Sequence, residues 1–309
     1  MKRSTPRRRS PPKAAETPQI RAEPRLPFPV QHQSQPGLES KLQPAPRWHA
    51  PRYRAAGKLE DKVALITGGD SGIGRAVAFL YAREGADVAI VYLPEEQGDA
   101  EITQRSVQAV GRRCLLLPAD LTKLKACNDV VQQTVETFGR LDILVSNAAH
   151  QSRTESPEQL TDEAFDLTFK TNIYAYFRLV RAALPHLKPG SAIIVTSSET
   201  GIMGSENLPD YSATKGAINA LTKTLSMSLI KRGIRVNAVA PGPVWTPLNP
   251  ADPGKSAEEV AKFGAESPMG RPAQPEELAP SYVFLASDAD SSFITGIVLQ
   301  VMGGETTGG

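Results

Sequence analysis

From position 58 onward the chain alternates between short apolar runs and stretches with helical spacing. Apolar runs fall at 63–66, 88–91, 115–117, 143–145, 192–195, 236–239 and 297–299. Each is too short for a helix, and together they predict buried β-strands. Between them lie segments of helical periodicity, the first over 76–83. Strands that alternate with helices build a parallel sheet covered on both faces. The expected fold class is therefore α/β: one Rossmann-type, doubly wound parallel sheet. No internal repeat and no second domain boundary interrupt residues 58–309.

Residues 1–57 lack either periodicity and hold 11 of the 26 prolines. Residues 1–25 have the composition of a disordered tail. Residues 26–57 carry Phe28, Leu38, Leu42 and Trp48, which suit an extended arm laid over the domain or a neighbouring subunit. Residues 1–57 together have twelve Lys and Arg against three Glu, a net +9, which leaves −7 for the rest of a chain of overall charge +2. The basic character thus belongs to the arm, and the folded part has no nucleic-acid signature. Hydrophobic content of 40% and charged content of 22% are those of a globular protein. No apolar run reaches membrane-spanning length, and Arg7-Arg8-Arg9 is followed by prolines, not by the apolar stretch of an export signal. An Arg-rich, acid-poor start also fits organelle import, but an amphipathic helix has little place among so many prolines. Cys114 and Cys127 belong to no metal-binding pattern and read as reduced thiols of a cytoplasmic protein, although two cysteines can in principle bridge.

Three segments carry chemistry. Thr67-Gly68-Gly69-Asp70-Ser71-Gly72-Ile73-Gly74 follows the first strand and opens the first helix. Glycines there permit a tight turn and close approach of backbone to a pyrophosphate, which the helix N-terminus attracts. At the end of the second strand stand Tyr92 and Leu93, with neither an acid for a ribose 2′-hydroxyl nor an Arg for a 2′-phosphate. The choice between NAD and NADP stays open. Thr196-Ser197-Ser198 closes the fifth strand, at the carboxyl end of the sheet where ligands bind in open α/β folds. Tyr211 and Lys215 are four apart, on one helix face. A neighbouring cation lowers the pKa of a phenol toward the range useful for proton transfer, but a Tyr and a Lys at this spacing also describe an ordinary exposed helix.

Taken together, these motifs resemble those of the short-chain dehydrogenase/reductase family over about residues 58–305. The likeness adds Asp120-Leu121, Asn147-Ala148-Ala149, Asn172 and Pro241-Gly242-Pro243-Val244-Trp245-Thr246. Ser198 precedes Tyr211 by thirteen residues, the family interval, which selects it over Ser197. Ala149 stands where the family usually has Gly. The resemblance implies Tyr211 as general acid or base, Ser198 as a donor to the substrate oxygen, Lys215 at the nicotinamide ribose, and Asn172 anchoring a water. It implies cofactor contacts at Gly68, Asp70, Ser71, Gly72, Ile73, Gly74, Tyr92, Leu93, Asp120, Leu121, Asn147, Ala148, Ala149, Tyr211, Lys215, Pro241, Gly242, Val244 and Thr246. Gln151, Glu199, Met203 and Trp245 are candidates to face substrate.

A narrower likeness, to glucose/ribitol dehydrogenases and aldehyde reductases, rests on Gly-Gly-Asp-Ser-Gly-Ile-Gly-Arg, on Tyr92 to Glu96, on 240–246 and on a Pro-rich arm like 35–42. It implies an NAD- or NADP-dependent oxidoreductase of small aldehydes, sugars or polyols, with no metal. A homotetramer packed through helices around 160–186 and 211–231 is implied as well. Two alternatives are a 3-oxoacyl-carrier-protein reductase, which the −7 charge of the folded part disfavours, and a nucleotide-sensing protein without catalysis.

Overall fold

The computed structural model describes residues 23–306. Seven strands form one sheet in the order β3-β2-β1-β4-β5-β6-β7: β1 Val63–Thr67, β2 Asp87–Tyr92, β3 Cys114–Pro118, β4 Ile143–Ser146, β5 Ala192–Thr196, β6 Arg235–Pro241 and β7 Val298–Val301. All six pairings are parallel. The helices are α1 Gly72–Arg83, α2 Gln97–Ala109, α3 Leu124–Phe138, α4 Asp162–Phe169, α5 Ala175–Ala183, α6 Thr200–Met203, α7 Pro209–Leu229, α8 Ala257–Ala261, α9 Pro275–Ala286 and α10 Asp288–Ser291. The doubly wound sheet expected from the pattern is the one observed.

Alternation along each strand feeds two cores. Ala64, Ile66, Val88, Ile90, Ile143, Val145 and Val239 pack on the side of α1, α2 and α9. Leu65, Ala89, Val91, Leu144, Ile193, Val195 and Ala238 pack on the side of α3, α5 and α7. A strand buried on both faces has no polar side to show, which is why each reads as a continuous apolar run.

Two boundaries differ from expectation. Helix α1 begins at Gly72, inside the glycine turn, and not at position 76. A glycine is a weak helix former, and Gly72 sits at φ +50°, so the helix starts there because of what holds it from outside. Between α4 and α5 the helix widens into a π turn, Lys170–Tyr174, which places the Asn172 side chain inward.

Strand order reverses between β1 and β4, so their carboxyl ends part and open a crevice. The stretch 23–57 runs over the domain beside it. Phe28 and Leu42 share a small core with Trp245 and Val260, and Trp48 joins the core against α1. Glu23, expected within the tail, instead pairs with Arg47 at 2.5 Å; residues 1–22 lie outside those described.

Candidate active site

A cleft of about 690 Å³ follows the crevice. That volume suits a small-molecule or cofactor site. One end is lined by Tyr92, Leu93, Asp120 and Leu121, the middle by Gly68, Asp70, Ser71, Gly72 and Ile73, and the other end by Ser198, Glu199, Tyr211 and Lys215.

The middle is the glycine turn. A Cβ on Gly74 would lie 1.8 Å from the Gly68 carbonyl oxygen, so any larger residue would break the turn. The Arg75 N–H already reaches Ser71 O at 3.0 Å, the first i→i−4 bond of the helix, which leaves the N–H groups of Ile73 and Gly74 just before it without intrahelical acceptors. Asn147 ties the strand ends together. Its backbone N–H and that of Ala148 donate to Thr67 Oγ1 at 2.9 and 3.0 Å, its Nδ2 donates to Thr67 O, and its Oδ1 accepts from Thr196 Oγ1. Ala148 and Ala149 continue the wall, and Pro241, Gly242, Val244 and Thr246 form the one opposite.

At the far end α7 starts at Pro209, so Tyr211 and Lys215 occupy its first two turns. Tyr211 is 7% exposed and Lys215 1% exposed, yet both line the cleft. Lys215 Nζ donates to Thr196 O at 2.7 Å and lies 5.2 Å from the Tyr211 ring centroid. Ser198 lines the cleft with Tyr211, and its hydroxyl accepts from Thr200 N–H and from Thr200 Oγ1, both at 3.1 Å. Ser197, the rejected neighbour, donates to Asn219 Oδ1 at 2.6 Å.

The electrostatics correct one expectation. Lys215 does not hold the Tyr211 pKa below its ordinary value; burial pushes it well above, with the nearby Ser198 hydroxyl opposing. Burial also draws Lys215 down to about 7, so near neutrality its charge is only partial. Glu199 is pushed up to about 7 by burial and by the charge of Glu305.

Several expected residues lie elsewhere. Trp245 does not face the cleft. Its side chain is fully buried on the opposite side, its ring centroid 4.5 Å from that of Phe28 at a tilt of 58°, with Nε1 donating to Pro44 O at 2.8 Å. Neighbours Val244 and Thr246 reach the cleft, and successive side chains in extended backbone point opposite ways. Met203, at the end of α6, is half-exposed outside the cleft lining. Gln151 lines the cleft, though its Nε2 is engaged with Asp252 Oδ2 at 2.8 Å. Asn172 sits one layer behind. Its Oδ1 accepts from His150 N–H, and its Nδ2 donates to His150 O and to Thr214 Oγ1 at 3.0 and 3.1 Å. Both amide hydrogens are thus spent on holding the 148–151 segment to α7.

Sequence reasoning did not find Glu96, Asp210 or Gln35 to Gly37. Glu96 is pushed up to about 8 by burial and by Asp70, and burial pushes Asp70 up to about 6. Asp70 Oδ2 is buried with no partner, beside the Tyr92 and Leu93 end. Asp210 is fully buried and accepts from Thr168 Oγ1 and from Tyr211 N–H, at 2.5 and 2.7 Å, at the start of α7. Only the residue before a candidate Tyr could have flagged it. Among the described residues no cluster of His, Cys, Asp and Glu could hold a metal ion, and no helix is long and apolar enough to cross a membrane.

Comparison with known proteins places this architecture. The family model described as enoyl-(acyl carrier protein) reductase matches residues 68–306. General stress protein 39 of Bacillus subtilis is 54% identical over 90% of this chain and 96% of its own length. Glucose and ribitol dehydrogenase of Daucus carota is 47% identical over 91% of this chain and 98% of its own. Among solved structures, a short chain dehydrogenase from Burkholderia cenocepacia in complex with NADP is 32% identical, with a TM-score of 0.74, over 80% of this chain and 98% of that one.

Proposed function

The chain belongs to the short-chain dehydrogenase/reductase family, and from that premise we propose a nicotinamide-dependent oxidoreductase that interconverts the carbonyl and alcohol forms of a small aldehyde, sugar or polyol. One observation carries the reading. Ser198, Tyr211 and Lys215 together line one end of a cleft, Lys215 Nζ 5.2 Å from the Tyr211 ring centroid, and the middle of that cleft is a glycine turn at a helix N-terminus.

The residues fit a dinucleotide. The turn leaves backbone N–H groups for a pyrophosphate, and the buried, unpartnered Asp70 Oδ2 supplies an acceptor near the adenosine end. NAD(H) or NADP(H), when bound, supplies or accepts the hydride. The protein moves the proton. Ser198 Oγ and Tyr211 Oη converge on one substrate oxygen and donate to it. Because burial keeps the phenol protonated at neutral pH, Tyr211 is a proton donor in the reductive direction. The phenolate left behind is stabilised by Ser198 and by a protonated Lys215. In the oxidative direction the same phenolate removes the alcohol proton. Asn172 and Asp210 act as positioning residues, through the 148–151 segment and the start of α7 respectively.

Glu199 lines the substrate end with a carboxyl of pKa about 7, suited to accept a hydrogen bond from a sugar or polyol hydroxyl. An acyl-carrier substrate fits less well, since residues 58–309 carry a net −7 and an acidic carrier would be repelled. A homotetramer in the cytoplasm completes the proposal. Phe165 and Leu167 on α4, Tyr174 in the π turn and Phe177 on α5 are each about two-fifths exposed, and Met227 on α7 more so, which supports contacts between subunits through this helical region.

The test is a coupled assay of NADH and NADPH oxidation over a panel of aldehydes, ketones and sugars, with the reverse reaction on polyols. Turnover of a small aldehyde or sugar supports the reading. Cofactor binding without turnover across the panel would favour nucleotide sensing.

A further inference from the structure

The Pro-rich arm reaches the cofactor turn from behind. Its short 3-10 turn, Glu39–Lys41, buries the Glu39 carboxylate against α1. Glu39 Oε2 accepts from Gly72 N–H at 2.5 Å, and Oε1 pairs with Arg75 Nη1 at 2.5 Å. Arg75 in turn donates from Nε to Asp70 O at 2.7 Å and from Nη2 to Asp99 O at 3.0 Å. The Asp99 carboxylate accepts from the backbone N–H groups of Glu39 and Ser40, at 2.7 and 3.2 Å. Thus the two backbone groups flanking Ser71, the Asp70 carbonyl and the Gly72 amide, are both held by a bridge that starts in the arm. Glu39 and Arg75 are each at most 4% exposed.

A few residues earlier the arm also forms the cleft wall. Gln35, Pro36 and Gly37 line it. Gln35 Nε2 donates to Gln151 O at 2.9 Å. A Cβ on Gly37 would lie 2.5 Å from Pro247 O and 2.9 Å from Ala251 Cβ, so the arm passes the loop after β6 at backbone contact.

We infer that Glu39 is a positioning residue for the dinucleotide: through Gly72 and Arg75 it sets the shape of the phosphate-binding turn, so the arm contributes to cofactor affinity. The inference rests on the nicotinamide-dependent reading above. A carboxylate next to a phosphate site would repel the ligand if left bare. Here Arg75 neutralises it, and the bond to Gly72 uses a donor that would otherwise be unpaired at the helix start. Preorganising the turn this way spares the ligand the cost of ordering it. Without Glu39, the turn loses its brace at Gly72, and Arg75, which holds the Asp70 carbonyl, loses one of its two carboxylate partners and keeps only Asp99 at 3.6 Å.

Calorimetric titration of the full chain with NADH, NADPH and ADP-ribose separates this role from a mere staple. ADP-ribose carries the pyrophosphate without the reacting ring. Glu39→Ala is expected to weaken NADH or NADPH, and ADP-ribose, by about tenfold or more. Glu39→Gln keeps an acceptor for Gly72 and should lose less, with kcat at saturating cofactor within about twofold of the wild type, as expected for a group that touches only the turn. Phe28→Ala, which loosens the arm far from the turn, should lower Tm and leave the dissociation constants unchanged. If both Glu39 variants bind as the wild type or tighter, with only Tm lowered, the inference is wrong. Should Glu39→Ala fail to fold, the comparison of Glu39→Gln with Phe28→Ala decides alone. A wild-type chain that binds none of the three ligands overturns the cofactor reading itself, and this inference with it.

Discussion

The two walls of the cleft are built differently. On one side, Ser198, Tyr211 and Lys215 stand on the end of β5 and the first turns of α7, rooted in two apolar cores. On the other, Gln35 to Glu39 belong to a segment with almost no secondary structure, held by Phe28, Leu42 and Trp48 and by single hydrogen bonds and ion pairs. The first wall carries proton chemistry on rigid elements, where sub-ångström placement is cheap to maintain. The second only needs to bear on the turn and on the loop after β6, and a strap can do that. Damage to the first should therefore appear in the chemical step, and damage to the second in stability, with binding affected where the contact to the turn itself, at Glu39, is lost.

The largest effect outside Tyr211 is expected at the first wall. Ser198→Ala removes a donor to the developing oxyanion and should lower kcat by about 10²-fold or more, with cofactor affinity retained. Steady-state kinetics with a cofactor titration check this; an equal loss in both would place Ser198 in binding instead.

Trp245→Ala should act on the second wall. It empties the small core that Phe28 and Leu42 share and deletes the bond to Pro44 O. A loss of about 3–5 kcal/mol is expected from denaturant unfolding, with faster proteolysis within residues 26–44 and kcat little changed. A large fall in kcat at unchanged stability would return Trp245 to the substrate site.

The smallest effect concerns pH. Glu199 is raised from its ordinary value to about 7, so it is protonated below neutrality and ionised above. If its carboxylate accepts a bond from a substrate hydroxyl, KM for a sugar or polyol falls as pH rises through about 7. Glu199→Gln should flatten that dependence and leave small aldehydes without hydroxyls unaffected. The same pH profile in the variant would remove Glu199 from substrate binding.

The difference between the walls also governs what could be read from the chain alone. Strands such as 192–195 are legible because burial on both faces leaves a run of apolar residues, and the sheet order follows from strands alternating with helices. The glycine turn is legible from its place between a strand and a helix, whereas Ser198, Tyr211 and Lys215 are legible only through the family resemblance, since a Tyr and a Lys four apart also describe an ordinary exposed helix. Glu39 is not, because nothing periodic links it to Arg75, 36 positions away. The π turn at Lys170–Tyr174 has no compositional mark, so the inward turn of Asn172 is visible only in three dimensions. Trp245 misled because its neighbours on both sides reach the cleft, and a single extended residue between them points away. The upward shift of Tyr211 escaped prediction for a related reason: spacing reveals the nearby Lys215 but not the burial that outweighs it.

The central claim is that the Tyr211 hydroxyl moves the proton. Single-turnover reduction of an accepted aldehyde by Tyr211→Phe, with NADH or NADPH saturating, tests it most directly. The loss expected is about 10³-fold or more in the rate of hydride transfer, with the cofactor dissociation constant within about twofold of the wild type, since among the described residues the phenol makes no polar contact with the glycine turn. A variant that retains a tenth of the wild-type rate would contradict the claim.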